Sequence, residues 1–213
     1  MMNSTWPELA ALAADCYRRG DLIKIEGVEF RTDHLRDGRP VFIICGTNGW
    51  RDWGCNLAAF KTSVNFAGRR ARVHKGFWHA AQLIWPAFDE WRRSETNTDV
   101  AIAGHSQGAA LALLMALLDS VDPGPVRYTD VCALAPPRIG NRAFGVCFRH
   151  RVLADRRRLF GRRLDPVCYF PRLGYAPTAP MTWLPSRLDG RLDHDADAYA
   201  ALVAAQIAKS TAP

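Results

Sequence analysis

Between Val100 and Ala110 the chain runs as an apolar strand, then Gly104-His105-Ser106-Gln107-Gly108, then an apolar helix through Leu111, Leu114 and Leu118. A serine between two glycines, where a buried strand turns sharply into a buried helix, is a nucleophile elbow. The serine there takes a strained backbone conformation, and a Cβ on either flanking glycine would crowd the neighbouring backbone. The pentapeptide alone turns up by chance in loops; the strand before it and the helix after it give it weight. Such an element sits between the end of a strand and the start of a helix, with the hydroxyl held out for attack.

The rest of the chain supplies that setting. A helix is expected at about 7–19, a strand pair near 22–33 joined at Gly27, and a continuous apolar strand from Pro40 to Cys45. Residues 76–93 carry apolar positions at helical spacing, with Pro86 as an expected kink. After the elbow strand at 98–103 and its helix at 106–119 come a strand at 126–134, a helix near 140–148 and an alanine-rich helix at about 195–208. Alternating strand and helix predict an α/β fold, a mostly parallel sheet with helices on both faces. No linker or repeat breaks the 213 residues, so one domain over 1–213 is expected.

Composition narrows the partners. No stretch reaches about 18 consecutive apolar residues, so no transmembrane segment is expected. The first twenty residues mix Trp6-Pro7-Glu8 with Asp15, Arg18 and Arg19, which suits a capping helix rather than a signal peptide; a cytoplasmic location is the default expectation. Six scattered cysteines (Cys16, Cys45, Cys55, Cys132, Cys147, Cys168) form no Cys-x-x-Cys pair and have no histidine at zinc spacing. Free thiols in a reducing compartment are expected, and neither a metal nor an organic cofactor is implied. The formal net charge is +7, with arginines concentrated at Arg149, Arg151, Arg156 to Arg158, Arg162 and Arg163. Without stacking aromatics or a nucleic-acid module this stripe does not predict nucleic-acid binding. It reads either as a solvated loop or as a contact for an anionic lipid surface.

A serine hydroxyl needs a histidine to take its proton and a carboxylate to hold that histidine's tautomer. On a strand-elbow-helix scaffold these follow in the order serine, acid, histidine. Only His150 and His194 follow Ser106, and His194 alone also follows a loop that carries a suitable acid. Asp165, before a proline, suits that loop; Asp155, Asp189 and Asp193 stand as alternatives. The oxyanion needs donors already in place, and the backbone N–H of Gln107, directly after the nucleophile, is one. His105 and His74 read as packing residues.

Four further segments give a family resemblance. Ile43 to Leu57 (Ile-Ile-Cys-Gly-Thr-Asn-Gly-Trp-Arg-Asp-Trp-Gly-Cys-Asn-Leu), Val73-His74-Lys75-Gly76-Phe77, Ala135 to Asn141, and Asp165-Pro166-Val167 with Gly174-Tyr175 resemble, in order, the motifs of class 3 lipases. The chain departs from them at Cys45, where an arginine is common, and at Ala176-Pro177-Thr178, where a histidine is. The resemblance implies an α/β-hydrolase fold and a serine carboxylic-ester hydrolase acting on lipid esters. It implies a triad of Ser106, Asp165 and His194 and a second oxyanion donor at Thr47, whose side chain equally suits a helix cap. It places Trp50 and Trp53 in a lid segment, where the rings would meet either lipid or a fixed core. A phospholipase A, a thioesterase, a polymer esterase and a non-catalytic binding protein on the same fold stay open as rivals.

Overall fold

In the computed structural model residues 5–46, 60–95, 99–122, 129–186 and 193–211 are described. Helix α1 (Thr5–Asp15) ends in a 3-10 turn (Cys16–Arg18), followed by β1 (Ile23–Ile25), β2 (Val28–His34) and β3 (Pro40–Ile44). A hairpin of β4 (Lys61–Phe66) and β5 (Arg69–His74) leads into helix α2 (Lys75–Ser94). Strand β6 (Ala101–His105) and helix α3 (Gln107–Val121) flank the elbow, then β7 (Asp130–Leu134), α4 (Arg142–Arg151), β8 (Arg157–Arg162), β9 (Thr182–Leu184) and α5 (Ala196–Thr211) complete the chain.

One seven-stranded sheet has the order β1-β2-β3-β6-β7-β8-β9. Its first three strands are antiparallel neighbours and every later pairing is parallel. The turn between β1 and β2 places Glu26 and Gly27 at φ 45° and 88°, the left-handed geometry that matches strand twist in a two-residue hairpin. Because alternate side chains of a strand point to opposite faces, β3 splits its own apolar run. Phe42 and Ile44 join a core with α2, α3 and α4, while Val41 and Ile43 join a second core with α1 and α5. Strands β6 and β7 divide likewise, which is why they read as unbroken apolar runs.

Parts of the chain differ from the sequence reading. The arginine-rich stretch expected as a loop contains β8, whose last four residues, Leu159 to Arg162, are buried. Arginine is a poor strand marker, but its long stem lies along apolar surface while the head finds a partner. Here Arg156 reaches Asp99 and Asp130, Arg157 lies over Phe148, Arg158 over Trp6 and Arg163 over Trp183. Arg162 is buried and paired with Asp193 at 2.6 Å. The stripe is thereby shared out among separate contacts and does not form one basic face.

The expectation of free thiols fails at one pair. Cys16 and Cys45 form a disulfide, their Cα atoms 5.7 Å apart although 29 positions separate them in sequence. The turn after α1 packs against the end of β3, and nothing local in the sequence announces that meeting. Cys132, Cys147 and Cys168 are free and buried; Cys55 lies outside the described residues. A structural disulfide argues against the reducing compartment expected from composition. Closing a loop of this length contributes about 3.5 kcal/mol to folding by chain entropy. Reduction of the native protein will therefore lower its melting temperature by about 10 °C, read in a thermal scan with and without dithiothreitol. An unchanged midpoint after verified reduction contradicts this.

Candidate active site

Strand β6 ends at His105, Ser106 takes φ 58° and ψ −121°, and α3 starts at Gln107. This backbone is uncommon for a residue with a side chain and marks a held, strained position. Both flanking glycines are required by contact. A Cβ on Gly104 would lie 2.4 Å from the Gly108 carbonyl carbon, and one on Gly108 would lie 2.1 Å from the Ile44 carbonyl oxygen. The elbow thus packs directly against β3, the strand leading to the segment matched to the oxyanion turn. Gln107 is the first residue of α3, so its N–H is among those that no helical carbonyl takes up, at the positive end of the helix.

Beyond β8, Asp165 caps a short 3-10 turn (Pro166–Tyr169), accepting from the Val167 N–H at 2.9 Å through Oδ1. Its other oxygen, Oδ2, lies 2.8 Å from His194 Nδ1, and His194 Nε2 lies 2.8 Å from Ser106 Oγ. Serine, histidine and aspartate, separated by 88 and 29 positions along the chain, form one continuous hydrogen-bonded line. Asp165 is fully buried and Ser106 is 6% exposed. With Nδ1 donating to the carboxylate, Nε2 presents its lone pair to the serine hydroxyl, as a general base requires.

Supporting contacts come from residues to which the sequence reading gave no supporting role in the triad. Tyr199, in α5, donates its O–H to Asp165 Oδ2 at 2.8 Å and accepts from the Arg162 N–H at 2.9 Å. Burial above all keeps this phenol protonated and therefore a donor. The Arg162 guanidinium holds the loop before His194 through the Asp193 carboxylate and backbone carbonyl and through Pro185 O. Asp193, weighed as an alternative acid, is thus engaged by Arg162. Asp155 lies exposed in the turn before β8, and Asp189 falls outside the described residues. Tyr199 follows His194 by five positions, a spacing visible in the sequence, but its aim at the acid depends on α5 docking beside β8.

His105 and His74 have structural contacts. His74 Nδ1 caps α2 by accepting from the Phe77 N–H at 3.3 Å. The buried His105 ring lies against His194, with centroids 4.6 Å apart. Burial lowers the pKa of both below the ordinary 6.5, and for His105 the neighbouring His194 adds to the effect. The unfolded chain then binds protons that the folded chain refuses, so stability falls as pH drops below about 6.5. Urea midpoints at pH 8 and pH 5 will show the lower value at pH 5; equal midpoints contradict this. Thr47, Trp50 and Trp53 lie outside the described residues.

Comparison with known proteins bears on fold and family. Secreted mono- and diacylglycerol lipase 3 of Gibberella zeae is 32% identical over 87 residues, covering 40% of this chain and 26% of that protein. Lipase A of Sodiomyces alcalophilus is 38% identical over 74 residues, covering 33% and 18%. These matches span about a quarter or less of each relative's length. Lipase II from Rhizopus niveus superimposes with a TM-score of 0.69 at 17% identity, covering 84% of this chain and 78% of that one. That likeness establishes the α/β-hydrolase fold. Residues 41–171, more than half of the chain, match the family described as lipase (class 3), and to that family the chain belongs.

Proposed function

We propose that the chain hydrolyses carboxylic esters of lipids through an acyl-enzyme on Ser106. The observation that carries this reading is the line from Ser106 Oγ through the His194 ring to Asp165 Oδ2, each contact 2.8 Å. Ser106 Oγ attacks the acyl carbon as its proton passes to His194 Nε2, and Asp165 stabilises the imidazolium. The tetrahedral oxyanion is met by the Gln107 N–H and, on the family resemblance, by Thr47. Each such donor accounts for about 10²- to 10³-fold in turnover. Collapse expels the alcohol, which takes its proton from His194. Water, deprotonated by the same nitrogen, then attacks the acyl-enzyme and releases the acid and the free serine. No step calls for a metal or an organic cofactor.

Glyceride esters are the proposed substrates, in keeping with the mono- and diacylglycerol lipase among the relatives. Trp50 and Trp53 are proposed to meet the lipid phase, where an apolar ring with one polar N–H is favoured. No described helix is long and apolar enough to cross a membrane. Contact with an anionic lipid surface is proposed through Arg69, Arg70 and Arg142, which line an open cleft of about 530 Å³. Action in an oxidising compartment, outside the reducing cytoplasm, is proposed from the Cys16–Cys45 disulfide.

A panel of p-nitrophenyl esters, mono- and diacylglycerol emulsions, phospholipid vesicles and acyl thioesters tests the substrate class. Glyceride emulsions are expected to turn over fastest, with a further gain from added anionic lipid that disappears at high salt. Preference for thioesters or phospholipids would move the assignment to one of those rivals. No turnover of any ester by folded protein would leave only a non-catalytic binding role.

A further inference from the structure

Tyr17 stands in the turn that ends α1, next to Cys16, and the Cys16–Cys45 disulfide ties that turn to the end of β3 beside Gly46. The tyrosine is half-buried, and its oxygen lies 2.8 Å from His105 Nδ1. Burial raises the pKa of this phenol well above its ordinary value, so it keeps its proton and is able to donate it to His105. Gly46 makes room for this approach, since a Cβ there would lie 2.2 Å from the tyrosine oxygen. The His105 ring, directly before the nucleophile in sequence, packs against the His194 ring, centroids 4.6 Å apart and planes 35° from parallel.

We infer that Tyr17 is a positioning residue for the proposed hydrolysis: its hydroxyl fixes the His105 ring as the wall against which His194 is held between Ser106 and Asp165. This inference rests on the hydrolase reading. With Nδ1 accepting from Tyr17, the proton of the neutral His105 ring sits on Nε2, a buried atom with no other partner among the described residues. The wall must carry no charge, because His194 becomes an imidazolium during acylation and a second cation at this distance would oppose it. Burial, reinforced by His194, keeps His105 in that uncharged form. Loss of the Tyr17 hydroxyl frees the His105 ring to turn, and the His194 nitrogen then spends less time aligned on Ser106 Oγ. Alignment of this kind acts on turnover and leaves ground-state binding of the ester unchanged.

Tyr17→Phe keeps the ring and removes the hydroxyl. On a soluble p-nitrophenyl ester, with rates normalised to sites titrated by a burst assay, kcat is expected to fall about tenfold at unchanged KM, the size expected for one net hydrogen bond. In a His105→Leu background, Tyr17→Phe should cause no further loss, because the tyrosine acts through that ring. A merely structural role would lower the melting temperature and leave kcat per titrated site untouched; that result overturns the inference, as do losses that multiply in the double variant. Should Tyr17→Phe not accumulate as folded protein, His105→Leu alone carries the test, with lower kcat at constant KM expected and an unchanged kcat contradicting it. Wild-type protein lacking Ser106-dependent turnover would sink the hydrolase reading instead, so the two failures are told apart.

Discussion

Ser106→Ala will reduce ester hydrolysis by about 10⁶-fold while leaving the protein folded. The hydroxyl is the group that forms and breaks the acyl bond, and members of a triad act as a unit, so removing one costs nearly as much as removing several. The fold does not depend on this oxygen. It makes no side-chain capping hydrogen bond to α3, and it lies 2.8 Å from His194 Nε2. Alanine has the same Cβ as serine and adopts the φ of 58° no less readily. The melting temperature is therefore expected to stay within a few degrees of wild type. His194→Ala will show a similar loss, and combining the two will add little. A Ser106→Ala protein that retains even a hundredth of wild-type turnover, free of contaminating esterase, would rule out this serine as the nucleophile.

Asp165→Asn is expected to cost about 10⁴-fold in kcat through the tautomer of a neighbour. The carboxylate accepts three hydrogen bonds: the Val167 N–H on Oδ1, and His194 Nδ1 and the Tyr199 O–H on Oδ2. An asparagine that keeps its carbonyl oxygen toward Val167 must aim its amide at His194 and Tyr199. His194 then turns a lone pair to that amide and carries its proton on Nε2, facing Ser106, where it no longer serves as a base. Flipping the amide would instead set it against the Val167 N–H. Shape and volume are nearly unchanged, so the loss should appear in kcat with little change in KM, and thermal melting will check the fold. Turnover within tenfold of wild type would show that Asp165 does not control the imidazole.

Tyr199 sharpens that expectation. Its hydroxyl points its proton at position 165 while accepting from the Arg162 N–H, so an amide turned toward it meets a donor. Arg162, Asp193 and Tyr199 together fix both the acid and the loop that carries the histidine, and all three are buried. The two elements that bring acid and base together, β8 and α5, therefore meet through a buried polar cluster with strict geometry.

The elbow was legible in the sequence because everything that makes it is local: an apolar strand, two glycines that leave room for backbone, and an apolar helix. Chain order then drew attention to His194, and a proline after Asp165 marked a loop. Contacts made between distant segments were not legible. The Cys16–Cys45 disulfide depends on the α1 turn docking at the end of β3, and Tyr17 reaches His105 across 88 positions for the same reason. Strand β8 was hidden because arginine signals solvent, while here its stems cover Phe148, Trp6 and Trp183. The β4–β5 hairpin was hidden because Lys61-Thr62-Ser63-Val64-Asn65-Phe66 is too polar to read as a strand before its turn, at Ala67 and Gly68, is seen.

Covalent labelling with a fluorophosphonate, read by peptide mass spectrometry, tests the central claim most directly. The account predicts one adduct per chain, on the peptide bearing Ser106, formed within minutes on the native protein and abolished by His194→Ala. Folded native protein that takes up no label, or takes it up on a different residue, would contradict it.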